Sequence, residues 1–253
     1  MSKKVLVFDL DDTLVDNVHD YAEPILDGIR TIIRTLGPKA PHVTKIALME
    51  QEIDLARRRD INPNTGHFFG YSMERFPGSL AEVYRRICKE SCTHSLAEVE
   101  AELYQIGLRA FDESMYKRKI KPGVLETIDF LNDRGDICML LTKGDKRVQS
   151  KKIAALGQAS LRFWSGIKIV ENKTPEIFKR MVRRFEGYSF YSVGNSYESD
   201  IVPALAVGFK GVLIYVETWE TIGKREEIFR GVDHSRCLVF DDISQIQSEY
   251  DKL

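Results

Sequence analysis

The first clear pattern in the chain is Val5-Leu6-Val7-Phe8, an unbroken apolar run that gives way at once to Asp9-Leu10-Asp11-Asp12-Thr13. So short and uniform a run predicts a strand buried on both faces that ends where the carboxylates begin. Comparable apolar segments stand at 137–141, 167–170, 189–193, 211–216 and 237–240. Helical spacing separates them: Pro122-Gly123 opens a predicted helix that runs to Arg134, another covers 146–156, and Pro175 begins a third with Thr174 as its cap. Strands alternating with helices predict an α/β fold, a doubly wound parallel sheet of Rossmann-like type, with its site at the strands' carboxyl ends.

Between the first and second predicted strands the period is purely helical. Tyr21, Ile25, Ile29, Ile32, Ile33 and Leu36 recur at helix spacing until Gly37-Pro38. Further helices are expected over 44–59, 80–92 and 95–116, the last opened by a capping box of Ser95 and Glu98. A connection of about a hundred residues needs a fold of its own. The expected domains are therefore a core of residues 1–16 and 121–253 and an inserted α-helical domain of residues 17–120.

Composition narrows the class. The chain has 253 residues, 43% hydrophobic and 30% charged, which suits an ordinary globular protein with a sizeable core. Its formal net charge of −1 gives no global attraction to nucleic acid or to an anionic membrane. No apolar run is long enough to span a bilayer, and the start of the chain has no signal-peptide pattern, so a cytoplasmic location is the expectation. Cys88, Cys92, Cys138 and Cys237 lack paired metal spacing and read as reduced thiols; Cys88, Cys92 and His94 read as a structural helix face.

The chemistry begins at the end of the first strand. Extended chain sends Asp9 and Asp11 to one side, and two carboxylates held together call for a hard cation such as Mg2+, which also binds phosphate oxygens. Phosphoryl transfer fits that pair, with one carboxylate attacking phosphorus and the other serving as acid and then base. Thr13 is placed to steady the acid/base group or its loop.

Asp9-Leu10-Asp11-Asp12-Thr13 resembles motif I of the haloacid dehalogenase superfamily, Asp-x-Asp-x-Thr directly after a hydrophobic strand. Three more segments match that family in order. Thr142, in Leu140-Leu141-Thr142-Lys143-Gly144, resembles the motif II hydroxyl that binds a phosphoryl oxygen; backbone N–H groups near Gly144, and more weakly Lys143, would assist. Lys173 fits motif III, the lysine that neutralises the nucleophile and the phosphate. Gly194-Asn195-Ser196-Tyr197-Glu198-Ser199-Asp200 resembles motif IV, with Asn195 replacing its first acid.

The resemblance implies a Mg2+-dependent phosphohydrolase of a small phosphorylated metabolite, working through an aspartyl phosphate. Asp9 would be the nucleophile and Asp11 the acid/base, with Thr142 and Lys173 on the phosphoryl oxygens. The metal would take Asp9, the Asp11 backbone carbonyl and Asp200, with Asn195 behind them and Glu198 as a neighbour. The helical insertion corresponds to a C1 cap, hinged near Asp16-Asn17 and Arg118-Pro122, and the segment from Arg57 to Phe69, with Arg58, Asn62 and His67, is the expected contributor to substrate choice. A phosphomutase, a 2-haloacid dehalogenase and a non-enzymatic binding scaffold are the alternatives. Asp11 argues against the dehalogenase, while Asn195 is the best support for the scaffold. Oligomeric state is left open by the sequence.

Overall fold

The computed structural model describes residues 3–116, 119–163, 165–218 and 221–253, so the expected hinge position at Arg118 lies outside the described residues. The chain divides into two compact units, residues 1–17 with 113–253, and residues 18–112.

The first unit is built on a six-stranded sheet: β1 (Lys4–Phe8), β2 (Ile137–Lys143), β3 (Ile167–Val170), β4 (Ser189–Gly194), β5 (Lys210–Ile214) and β6 (Cys237–Phe240). Their order is β3-β2-β1-β4-β5-β6, and every pairing is parallel. Side-chain alternation divides β1 between two cores. Leu6 and Phe8 join Cys138, Leu140, Tyr191 and Val193 on one face, while Val5 and Val7 join Ile137, Met139, Leu141 and Phe178 on the other. Every residue of β1 is consequently buried. The chain winds from β1 outward to β3 and then returns to place β4 on the other side of β1. That reversal opens a crevice at the carboxyl end of β1.

The second unit is helical: α1 (Ala22–Leu36), α2 (Val43–Arg57), α3 (Arg75–Glu90) and α4 (Ala97–Leu108). Its own core gathers Ile25, Ile29 and Ile32 of α1, Ile46 and Met49 of α2, Leu80, Val83 and Ile87 of α3, and Leu103 of α4. Gly107 lets α4 approach closely, since a Cβ there would lie 2.5 Å from the Pro77 Cα.

Several local expectations are corrected. α3 starts at Arg75 rather than Leu80, because its first turn accommodates Pro77. The helix expected over 95–116 is interrupted. α4 ends at Leu108, a 3-10 turn covers Arg109–Phe111, Asp112 is extended, and a short α5 (Glu113–Tyr116) belongs to the first unit. Ser95 forms no capping box: Leu96 occupies the cap position without a side-chain bond. Thr174 does precede α8 (Pro175–Val182), but its side chain makes no cap hydrogen bond.

The remaining helices are α6 (Val124–Asp133), α7 (Lys146–Ala155), α9 (Val202–Leu205), α10 (Arg225–Gly231) and α11 (Gln245–Ser248). Where the chain leaves and re-enters the first unit, its two segments run side by side. Asp16 donates its N–H to the Lys119 carbonyl at 2.8 Å, and Lys121 donates to Leu14 at 2.9 Å. Among the described residues all four cysteines are free, and no helix is long and apolar enough to cross a membrane.

Candidate active site

β1 stops pairing at Phe8, but Asp9 still donates its N–H to the Val193 carbonyl at 2.9 Å, which fixes the carboxylate over the crevice. The loop then turns sharply. Asp12 takes a left-handed backbone, φ 61°, a region open to aspartate at modest cost. The turn is tied by Asn17 N–H to Asp12 Oδ1 at 2.9 Å and Lys121 Nζ to the Asp12 carbonyl at 2.8 Å.

Lys173 enters from the loop after β3 and lies between two acids. Its Nζ contacts Asp9 Oδ1 and reaches Asp200 Oδ1 at 2.7 Å. All three side chains are buried. Burial pushes the Asp9 carboxyl from 3.8 up to about 7, with Asp200 adding to the rise and Lys173 opposing it. Burial by itself would lower Lys173, but Asp200 and Asp9 outweigh it and its ammonium is held above its ordinary value.

Asp200 is delivered by an unusual turn. Tyr197–Ile201 forms a single π-helical segment after β4, a widened geometry often found at functional sites. Asp200 Oδ2 accepts the Ser196 N–H at 2.9 Å, and Ser192 Oγ donates to the Asp200 carbonyl at 2.7 Å. Gly194 is required here by close approach. A Cβ at that position would sit 2.3 Å from Asp200 Oδ2.

The structure therefore brings Asp9, Lys173 and Asp200 into direct contact. Asn195 stands one step back: Thr13 Oγ1 lies 3.4 Å from Asp9 Oδ2 and 3.5 Å from Asn195 Oδ1. Thr13 thus attends Asp9 rather than the Asp11 carboxylate, which leaves the loop as the other of its two expected roles. Asp11 is held from elsewhere, by Gln149 and Lys152 of α7. Glu198 is exposed on the π turn.

At the end of β2, Thr142 is buried and donates its hydroxyl to Gln149 Oε1 at 3.1 Å. Lys143 extends to Ser199 Oγ at 2.6 Å. Of the backbone N–H groups expected to assist near Gly144, that of Gly144 itself does not: it bonds the Val170 carbonyl at 3.1 Å, continuing the ladder between β2 and β3, so it is spent within the sheet. In the helical unit, Asn62 is buried and holds its own turn, giving Nδ2 to Glu74 at 2.8 Å and accepting the Asn64 N–H at 2.9 Å. Arg58 stacks over Tyr71, and His67 is exposed.

Gln149 and Lys152 are the neighbours that the sequence reading missed. Their three-residue spacing on the helix after Thr142 was the available signal.

The donor set suits a hard cation. Asp9 and Asp200 supply buried carboxylate oxygens, and Asn195 Oδ1, 3.5 Å from Thr13 Oγ1, is a neutral oxygen one step behind them. Among the described residues, however, no three His, Cys, Asp or Glu side chains already converge as a metal cluster. Lys173 occupies the space between the two acids instead.

The model of haloacid dehalogenase-like hydrolases matches residues 3–208. The chain belongs to that family. It is a hydrolase by that membership, and its fold recurs in solved structures. A haloacid dehalogenase-like hydrolase from Xanthomonas campestris matches with TM-score 0.67 at 21% identity, over 99% of this chain and 96% of the other. A predicted phosphoglycolate phosphatase from Haemophilus somnus matches at 0.55 and 17%, over 99% of each chain. A 2-haloacid dehalogenase from Pseudomonas syringae matches at 0.51 and 18%, also over 99% of each. No curated protein matches. Likeness at these identities fixes the fold of this hydrolase and leaves its substrate to its own residues.

Proposed function

We propose that this hydrolase is a Mg2+-dependent phosphatase that cleaves a small phosphomonoester through an aspartyl phosphate on Asp9. One observation carries the reading: beside a buried Asp9 that is paired with Lys173, the loop supplies a second carboxylate, Asp11, held at both of its oxygens. Dehalogenation needs the first carboxylate and has no use for the second.

Asp9 attacks phosphorus while the bond to the leaving oxygen breaks, and Asp11 gives that oxygen its proton. Asp11 then takes a proton from water as the water attacks the aspartyl phosphate, which regenerates Asp9 and releases phosphate. Lys173, buried against Asp9, offsets charge gathering on the phosphoryl oxygens, and Thr142, whose hydroxyl proton here goes to Gln149 Oε1, would turn that proton to one of them. Lys143, at the same strand end, is a candidate second contact for the phosphate. Mg2+ would be held by Asp9, the Asp11 carbonyl and Asp200, with Asn195 behind them, and would neutralise phosphate charge. The helical unit is where selection of the metabolite's remaining part is assigned.

Hydrolysis of 4-nitrophenyl phosphate, followed by a panel of cellular phosphomonoesters, tests the proposal. Turnover with Mg2+ that disappears with EDTA and in Asp9→Asn supports it. Turnover that survives Asp9→Asn, or release of halide from 2-haloacids in its place, would remove it.

A further inference from the structure

Gln149 and Lys152 lie outside all four motifs, yet both end on Asp11. They sit three residues apart on α7, so both project from one face of that helix. Gln149 Nε2 donates to Asp11 Oδ2 at 2.7 Å, and Lys152 Nζ contacts Asp11 Oδ1 at 2.7 Å. Each is anchored a second time: Lys152 Nζ also donates to Asn17 Oδ1 at 2.6 Å, and Gln149 Oε1 accepts the Thr142 hydroxyl at 3.1 Å.

Both side chains are buried, Gln149 at 4% exposure and Lys152 at 7%. Burying a lysine sacrifices hydration and rotamer freedom, which an incidental surface pair would not require. Gly144 makes room for the arrangement, because a Cβ there would stand 3.0 Å from Gln149 Nε2. A carboxylate gripped at one oxygen can still swivel. Gripped at both, it has one orientation.

We propose that Lys152 and Gln149 are positioning residues that fix the Asp11 carboxylate for proton delivery, and that the substrates they serve are alkyl phosphates. An alkoxide is a poor leaving group and departs only as it gains a proton. A nitrophenolate leaves without one, and so gains little from a well-aimed acid. Gln149 further ties the orientation of Asp11 to Thr142, so the phosphoryl side and the leaving-group side of the crevice are set by one side chain. This inference rests on the proposed phosphatase reading.

The test compares single-turnover release of alcohol from glycerol phosphate with release of nitrophenolate from 4-nitrophenyl phosphate. For Lys152→Met, alcohol release is expected to fall on the order of 100-fold with KM changed little, as for a misaimed reacting group. Nitrophenolate release should fall by less than about fivefold, since proton transfer contributes little to it. Gln149→Met, which also releases the Thr142 hydroxyl, should slow both substrates but alcohol release the more, and Lys152→Arg should recover part of the Lys152→Met loss. Lys151→Met, on an exposed neighbour paired with Glu113, serves as the control and should match the wild type on both substrates.

Thermal unfolding of each variant confirms a folded protein, and Gln149→Met reads the effect if Lys152→Met does not fold. An equal fall on both substrates, or no fall on either, overturns the inference while leaving the phosphatase reading intact. Wild-type protein that releases neither product with Mg2+, or an Asp9→Asn variant that still releases both, overturns the phosphatase reading and this inference with it.

Discussion

Lys173 Nζ lies 2.7 Å from Asp200 Oδ1, and both side chains are almost wholly sealed from solvent. The same ammonium contacts Asp9, so one cation compensates two buried anions. Removing it while keeping the acids leaves buried charge without a partner, a change that typically costs about 3–5 kcal/mol. Lys173→Met should therefore lose turnover and unfold at lower urea. Adding Asp200→Asn to it should return part of the stability and none of the activity. Full stability in Lys173→Met alone would show that the acids do not depend on this lysine.

A second prediction concerns Gly194, which ends β4 beneath the Asp200 carboxylate. An alanine there places a methyl 2.3 Å from Asp200 Oδ2, so the carboxylate must move. Shifts of about 1 Å in a reacting constellation can cost about 100-fold in rate. Gly194→Ala should accordingly lose turnover by that order while its circular dichroism remains that of the wild type. Wild-type kcat in a folded Gly194→Ala protein would detach Asp200 from the reaction.

Much of this site was legible because its parts sit in short, local patterns. Val5 to Phe8 announces a doubly buried strand, and Asp9 and Thr142 each follow an apolar run directly, so strand ends could be read as site positions. Asp200, set back from the end of its strand, was legible only through the spacing of motif IV from Gly194. Lys173 was selected by its order between motifs. What escaped was held together by distance in sequence: Gln149 and Lys152 meet Asp11 across 138 and 141 residues. The break at Asp112 escaped for another reason. Apolar spacing continues through Ala110 and Phe111, and neither glycine nor proline marks the point where the backbone extends. Gly144 misled because its loop position suggested a free amide, which the neighbouring strand β3 occupies.

A third prediction lies at the other end of the sheet. The Tyr250 hydroxyl donates to Asp136 Oδ2 at 2.6 Å, and the other oxygen of that buried carboxylate accepts the Lys4 N–H at 2.8 Å. The last residues of the chain are thereby stapled to the start of β1. A hydrogen bond to a charged group contributes about 1.5–3 kcal/mol. Tyr250→Phe should lower the unfolding free energy by that much, read as a lower urea midpoint at an unchanged m-value, and activity at low temperature should be retained. An unaltered midpoint would mean that the staple adds nothing.

A fourth prediction follows from Glu50 in the helical unit. It is 4% exposed, and among the described residues its Oε1 has no hydrogen-bond partner. Burial pushes its carboxyl from 4.5 up to about 8, with Asp54 adding to the rise and Arg75 opposing it. Between those values the folded chain keeps a proton that the unfolded chain has released. The contribution to stability is therefore complete below about pH 4.5 and is lost as pH rises through about 8. Its size is on the order of a few kcal/mol, at 1.36 kcal/mol for each pH unit. Glu50→Gln carries no titrating proton, so its melting temperature should lie near that of the wild type at pH 5 and several degrees above it at pH 9, by roughly 2–4 °C per kcal/mol in a chain of this size. Parallel curves for the two proteins across that range would show that Glu50 is ionised in the folded state and that its burial is compensated by Arg75.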